Sequence, residues 1–203
     1  MKVIGLSGGS GSGKGYVSSI FASNGVPSID TDAIYRELTA TPGECLSELV
    51  AVFGKEIVNA DGALDRAAMR ALVFSGNRAE QNRKRLNEIS HRHVLNEVRR
   101  RIADLSKSDV SAVLVDAPLL FESGFDKECD VLICITAPQD LRVERIMARD
   151  GITKEAALMR VATQISDEVL TERSDYVIRN FGDEAVLMSD IGCVLNFISD
   201  TKN

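Results

Sequence analysis

Apolar residues come along this chain in short unbroken runs, separated by longer amphipathic stretches. Lys2–Ser7 (KVIGLS), Val26–Asp30 (VPSID), Ala112–Ala117 (AVLVDA) and Asp130–Thr136 (DVLICIT) lack the alternation of a half-exposed strand. Tyr176–Ile178 opens a fifth such run. Runs of this kind, spaced by helical segments, predict a parallel sheet covered by helices on both faces. Tyr16–Ser23 predicts the first helix, stopped by Gly25. The interval between the second and third strands is too long for one crossover helix and predicts a helical insertion. Inside it Leu46, Leu49, Val50 and Phe53 recur at helical spacing before Gly54. Ala68, Met69, Leu72 and Val73 do the same, as do Leu86, Ile89, Val94, Val98 and Ile102. Asn59-Ala60-Asp61-Gly62 predicts the turn between the first two of these helices. Pro138–Arg173 reads as helical and dense in arginine, Glu184–Ile198 as a closing helix, and Asp200–Asn203 as a polar tail.

The chemistry concentrates where the first strand meets the first helix. Gly8-Gly9-Ser10-Gly11-Ser12-Gly13-Lys14 satisfies the G-x-x-x-x-G-K part of a phosphate-binding loop. Glycines let backbone N–H groups converge on phosphate oxygens, the helix adds the positive end of its dipole, and Lys14 reaches the outer phosphates. The next position usually carries a Mg²⁺-ligating hydroxyl, but here it is Gly15. Either a water completes the metal's octahedron, or the loop binds nucleotide without catalysis. Asp30 and Asp32 follow the second strand. Each is a candidate helix cap, and Asp32 is also a candidate base for an attacking hydroxyl. Asp116 ends the VLVD run, where a carboxylate holds a metal-bound water or caps the next turn. Arg142, Arg145 and Arg149 fall at spacings of three and four, which places them on one helical face. Beside a phosphate loop that stripe predicts a lid over the transferring group. The Arg99-Arg100-Arg101 run reads as solvated surface.

Composition changes the picture only by exclusion. A net charge of −6 and a pI near 5.1 argue against a nucleic-acid binder and suit a small anionic ligand held by local basic residues. Four cysteines without a C-x-x-C pair and two histidines give no zinc or redox motif. They read as free thiols in a reducing compartment. No run approaches the ~20 apolar residues of a membrane span, and no leader pattern precedes the first strand. The expectation is a cytoplasmic protein without a membrane partner.

The residues resemble the dephospho-coenzyme A kinase family over nearly the whole chain. The likeness is carried by GLSGGSGSGK (Gly5–Lys14), IDTDAIYR (Ile29–Arg36), DGALDR (Asp61–Arg66) and LNEISH (Leu86–His91). DAPLLFESG (Asp116–Gly124), ERIMARDGIT (Glu144–Thr153), RVATQ (Arg160–Gln164) and SDYVIRNFG (Ser174–Gly182) follow in order. The resemblance implies a single P-loop kinase domain over residues 1–203. Its five-stranded parallel core would take residues 1–31, 110–137 and 174–203, its helical substrate lobe 32–109 and its lid 138–173. It also implies transfer of the ATP γ-phosphoryl, with Mg²⁺, to the ribose 3′-hydroxyl of dephospho-coenzyme A. By position, Gly9, Ser10, Gly11, Ser12, Gly13, Lys14, Gly15 and Tyr16 would hold the phosphates, with Asn180 near the adenine. Asp32 would be the base, Arg145 and Arg149 the lid arginines, and Asp116 a water-mediated metal contact. Arg36, His91, Pro118, Leu119, Leu120 and Glu122 would line or support the acceptor site. The protein would act as a monomer. Departures from the family pattern are Gly15 and Tyr16, where two hydroxyl residues are usual, Arg92 for proline, Arg142 for glutamine, and Leu170 for a basic residue. The competing readings are a non-catalytic nucleotide-binding protein and a P-loop kinase for another small alcohol or nucleotide.

Overall fold

The computed structural model describes residues 1–200, so the expected polar tail lies, beyond Asp200, outside the described residues. Five strands, β1 (Lys2–Gly8), β2 (Ser28–Asp30), β3 (Ala112–Asp116), β4 (Val131–Thr136) and β5 (Tyr176–Arg179), form one parallel sheet. Their order is β2-β3-β1-β4-β5, with Leu6 facing Asp116 on one side and Ile133 on the other. The helices are α1 (Lys14–Ser23), α2 (Thr31–Ala40), α3 (Glu44–Phe53), α4 (Arg66–Phe74), α5 (Ala79–Leu105), α6 (Gln139–Asp150), α7 (Lys154–Ala162), α8 (Asp167–Glu172) and α9 (Glu184–Asp200). The chain divides into two compact units, residues 30–101 and the remainder.

In the sheet-bearing unit the unbroken apolar runs are explained by burial on both faces. Ile4, Leu6, Leu114, Ile133, Ile135 and Ile178 pack with Val17 and Phe21 of α1 and with Leu187, Ile191 and Val194 of α9. On β4 and β5, Cys134, Leu132 and Val177 pack instead with Phe121 and with Leu170 of α8. Alternation vanishes because neither face meets water. Helix α6 packs Val143 and Ile146 on Ala157 of α7, and Gly151, with φ +64°, provides the left-handed turn between the two. All four cysteines are free, and burial pushes the Cys129 thiol up to about 12.

The second unit has its own core, in which Leu46, Leu49 and Phe53 of α3 meet Met69 and Val73 of α4 and Ile89 of α5. The expected turn is present: Asn59 Oδ1 accepts from the N–H groups of Asp61 and Ala63, both at 3.0 Å. Helix α2 was not legible as a hydrophobic pattern, and its start is fixed by Asp30, whose carboxylate accepts from the N–H groups of Asp32 and Ala33. The arginine run at the end of α5 is more than solvated surface. Glu97 pairs with Arg100 at 2.6 Å and Arg101 at 2.8 Å, and Arg101 also reaches Glu37. The hydrogen bond from Arg100, above all, holds the Glu97 carboxyl down at about 2.

Gly5 is a tight point of the sheet's interior. A Cβ there would lie 2.8 Å from Cys129 Sγ and 3.0 Å from the side chains of Leu120 and Leu132. Gly5→Ala is therefore expected to lower stability by about 1–3 kcal/mol through overpacking. Cys129→Ala in the same chain should return part of that loss, read from urea midpoints. An unchanged midpoint for the single variant would show that the neighbours yield freely.

Candidate active site

At the carboxyl end of β1 the chain turns through Gly8–Gly13 into α1. Gly13 sits at the helix N-cap with φ 99° and ψ 24°, a left-handed conformation that a side chain disfavours. Space forbids a side chain as well, because a Cβ would lie 2.1 Å from Asn180 Nδ2. The loop's carbonyls are all engaged. Lys14 Nζ donates to Gly8 O at 2.9 Å, and Ser12 N–H to Gly9 O at 3.1 Å. Arg142 Nε donates to Ser10 O at 3.0 Å, Arg145 Nη1 to Gly11 O at 3.1 Å, and Asn180 Nδ2 to Ser12 O at 2.8 Å. Gly13 O accepts from the N–H groups of Tyr16 and Val17. What the loop keeps for a ligand is its outward N–H groups, the Lys14 ammonium and the hydroxyl of Ser12. That hydroxyl is buried and has no hydrogen-bond partner among the described residues.

The arginine stripe of α6 is present, but its three members do different things. Arg145 is half-buried between the loop and Asn180, donating to Asn180 Oδ1 at 3.1 Å. Arg149 is exposed, reaching Ser10 Oγ at 3.4 Å and Asp150 at 2.8 Å. Arg149 chiefly, with Arg160 beside it, holds the Asp150 carboxyl down at about 2. Arg142 faces the loop with the other two, donating to Ser10 O, but it is covered where they are not. It is 5% exposed, paired with Asp167 at 2.9 Å and Gln164 at 2.9 Å. The sequence offered Arg142 as part of the arginine stripe and as a departure from the family pattern, and the roles of Gln164 and Asp167 were missed. Spacing along α6 reports direction around the helix, not what covers it.

The other expected residues fall into two groups. Asp116 ends β3 beside Leu6, two residues before the loop begins at Gly8. Pro118 and Leu119 are exposed, whereas Leu120 is wholly buried and can only support, and Glu122 is exposed. Asp32, Arg36 and His91 belong to the second unit. Asp32 is exposed in the first turn of α2; since Asp30 supplies the cap, Asp32 is not needed for it. Arg36 donates to Asp32 O at 3.0 Å and lies 3.6 Å from Asp30. Gly15 is exposed with nothing within 4 Å of where a Cβ would stand. Tyr16 turns its hydroxyl to Glu184 at 2.7 Å, at the start of α9. A cavity of about 500 Å³ adjoins Arg142, lined by Pro138, Gln139, Ala162, Ile165 and Phe181 among others.

Comparison with known proteins points one way. The dephospho-CoA kinase (CoaE) family model matches residues 2–185. A dephospho-CoA kinase of Corynebacterium diphtheriae is 38% identical over 187 residues, 92% of this chain and 92% of that one. The solved structure of a Thermus thermophilus protein covers 96% of each chain with a TM-score of 0.79 and 31% identity. That of a dephospho-CoA kinase from Campylobacter jejuni covers 99% of this chain and 98% of its own, with a TM-score of 0.72 and 25% identity.

The Arg149–Asp150–Arg160 cluster at the mouth of the loop has a direct readout. A ¹³C titration of the Asp150 carboxyl should show a midpoint at about 2 against an ordinary 3.8. The depressed value means the carboxylate stays charged as the pH falls through 4, so the cluster persists there and is lost only near pH 2. Arg149→Ala should move the midpoint back toward 3.8. A parental midpoint already near that value would show that the cluster does not hold in solution.

Proposed function

The chain belongs to the dephospho-CoA kinase family, and from that premise we propose that it transfers the ATP γ-phosphoryl group to the ribose 3′-hydroxyl of dephospho-coenzyme A. The product is coenzyme A, and the reaction is the last step of its synthesis. The observation that carries the reading is the loop itself. Its carbonyls are all engaged, by side chains except at Gly9 and Gly13, so the loop N–H groups not already bonded and the N-terminus of α1 are left to face an anion.

In this reading Gly9 to Tyr16 cradle the phosphates, and Lys14 exchanges the Gly8 carbonyl for phosphate oxygens. Tyr16 contributes backbone only, because its hydroxyl is directed to Glu184. Asn180 holds the loop below the nucleotide, and the neighbouring cavity at Phe181 takes the adenine. Arg145 and Arg149 supply charge where it grows on the transferring group, and their contacts to Gly11 O and Ser10 Oγ are ones that ligand oxygens replace. Asp32 takes the proton from the attacking hydroxyl, with Arg36, His91, Pro118, Leu119 and Glu122 shaping the acceptor site. The lid is 138–173 and the substrate lobe 32–109. Asp116 would hold Mg²⁺ through a water, and the cation would offset phosphate charge. No cluster of three metal-binding side chains occurs among the described residues, which fits a cation held mainly by phosphate and water. No helix among the described residues is long and apolar enough to cross a membrane. A cytoplasmic monomer completes the proposal. Gly15 is the one feature favouring a non-catalytic nucleotide binder, and a coupled assay with ATP, Mg²⁺ and dephospho-coenzyme A separates the two.

Asp32→Asn should lower kcat by about 10²–10⁴-fold while ATP affinity stays nearly intact, since a base acts on the acceptor. Retention of more than about a third of parental kcat would remove Asp32 from the chemistry.

The metal prediction turns on Gly15. Its surroundings are open and Tyr16 is drawn away to Glu184, so a serine hydroxyl there is unobstructed. Gly15→Ser should tighten apparent Mg²⁺ affinity by roughly tenfold, about 1.4 kcal/mol, measured as kcat against Mg²⁺ concentration. Superimposable metal curves would show that the missing hydroxyl is irrelevant. An inactive parent restored by the serine would instead favour the non-catalytic reading.

A further inference from the structure

Arg142 is buried, charged and unused by the chemistry above. Its three bonding nitrogens go to three different places. Nε donates to Ser10 O at 3.0 Å, Nη1 to Asp167 Oδ1 at 2.9 Å, and Nη2 to Gln164 Oε1 at 2.9 Å. Gln164 Oε1 also accepts the Ser10 N–H at 2.9 Å. Ser10 is thus gripped at both ends, its carbonyl by Arg142 and its N–H by the glutamine that Arg142 itself orients. We propose that Arg142 is a positioning residue for the nucleotide, fixing the Ser10 segment of the phosphate loop, with Asp167 as its counter-charge and Gln164 as the shared acceptor. The inference rests on reading that loop as the nucleotide site.

Three further observations support it. First, the contact is close enough to dictate the loop's composition: a Cβ on Gly9 would lie 2.0 Å from Arg142 Nη2, and one on Gly11 2.5 Å from Arg142 O. Second, a guanidinium with a side chain only 6% exposed is costly unless its donors are satisfied, and here every partner is fixed by a different element. The planar fork makes that possible, where a lysine's compact ammonium cannot span all three partners. Third, Asp167 is itself partly buried, and that burial raises its carboxyl's pKa even against the pull of Arg142. Neither member of the pair is comfortable alone. Arg149, two turns further along α6, is exposed and Arg145 is half-buried. Arg142 borders the cavity beside Phe181, but its Nε, Nη1 and Nη2 are each bonded to protein, so its effect passes through the loop.

The test compares Arg142→Gln, Arg142→Lys, Asp167→Asn and the double Arg142→Gln/Asp167→Asn with the parent. The readouts are ADP dissociation constant by calorimetry, KM for each substrate, and melting temperature. Arg142→Gln should weaken ADP about tenfold, and Arg142→Lys about threefold, because one bond survives of three. KM for dephospho-coenzyme A should stay within about twofold. Asp167→Asn keeps a neutral acceptor of the same shape and should weaken ADP about twofold even if Arg142→Gln does not fold. The double variant removes the stranded carboxylate, so it should recover melting temperature without recovering ADP affinity. If affinity returns together with stability, or if folded variants bind ADP as the parent does, Arg142 is only part of the core and the inference fails. A parent that binds no ADP would overturn the site reading and this inference together.

Discussion

A loop that is to offer its N–H groups to a ligand cannot spend its carbonyls in a helix or a sheet. Buried carbonyls without donors cost as much as lost hydrogen bonds, so something else must supply the protons. Gly9 O and Gly13 O take backbone N–H groups, and the other donors are side chains: the ammonium of Lys14, the guanidinium groups of Arg142 and Arg145, and the amide of Asn180. That requirement fixes much of the surrounding architecture. Helix α6 must run close enough to touch Gly11 with its backbone, and β5 must deliver Asn180 beneath Ser12. The order β2-β3-β1-β4-β5 does this by placing β4, which leads into α6, directly beside β1.

The same requirement shapes the charges. Cations brought against carbonyls in a partly buried site need anions within reach, and each arginine solves this differently. Arg142 is matched inside by Asp167, and Arg149 outside by Asp150, which Arg160 also touches. Arg145 leans on carbonyl and amide oxygens, with no carboxylate among its described hydrogen-bond partners. One of the three cations is thus neutralised inside, one sits in a surface pair, and one is held by neutral groups among its described partners.

The strands and most helices were legible because burial on both faces writes continuous apolar runs, and a covered helix writes its period. The loop was legible because glycines followed by lysine between a strand and a helix have few other uses. Asp30 could be read as a cap and is one. Helix α2 was harder, since its start depends on that carboxylate and its buried positions are few, Ile34 and Thr39. Arg142 was misread for a different reason. Its spacing from Arg145 and Arg149 is real and all three face the loop, but Gln164 and Asp167 cover Arg142 alone of the three. Its partner Asp167 lies on a separate helix, where only the three-dimensional contact joins them.

Gly15 and Tyr16 make sense together once the contacts of α1 are seen. A glycine in the first helical turn weakens it by up to ~1 kcal/mol relative to alanine, and it offers the loop no hydroxyl. The next residue uses its length to leave the site and anchor on Glu184, at the start of α9. That bond joins the beginning of α1 to a helix already packed against it through Val17, Phe21, Leu187 and Ile191. So the turn that is loosened at one position is tied down at the next, from outside the loop. The phosphate site keeps its backbone geometry and gives up two side-chain hydroxyls. What remains is peptide N–H, the Ser12 hydroxyl, the Lys14 ammonium and arginine, a donor set whose chemistry suits phosphate oxygens.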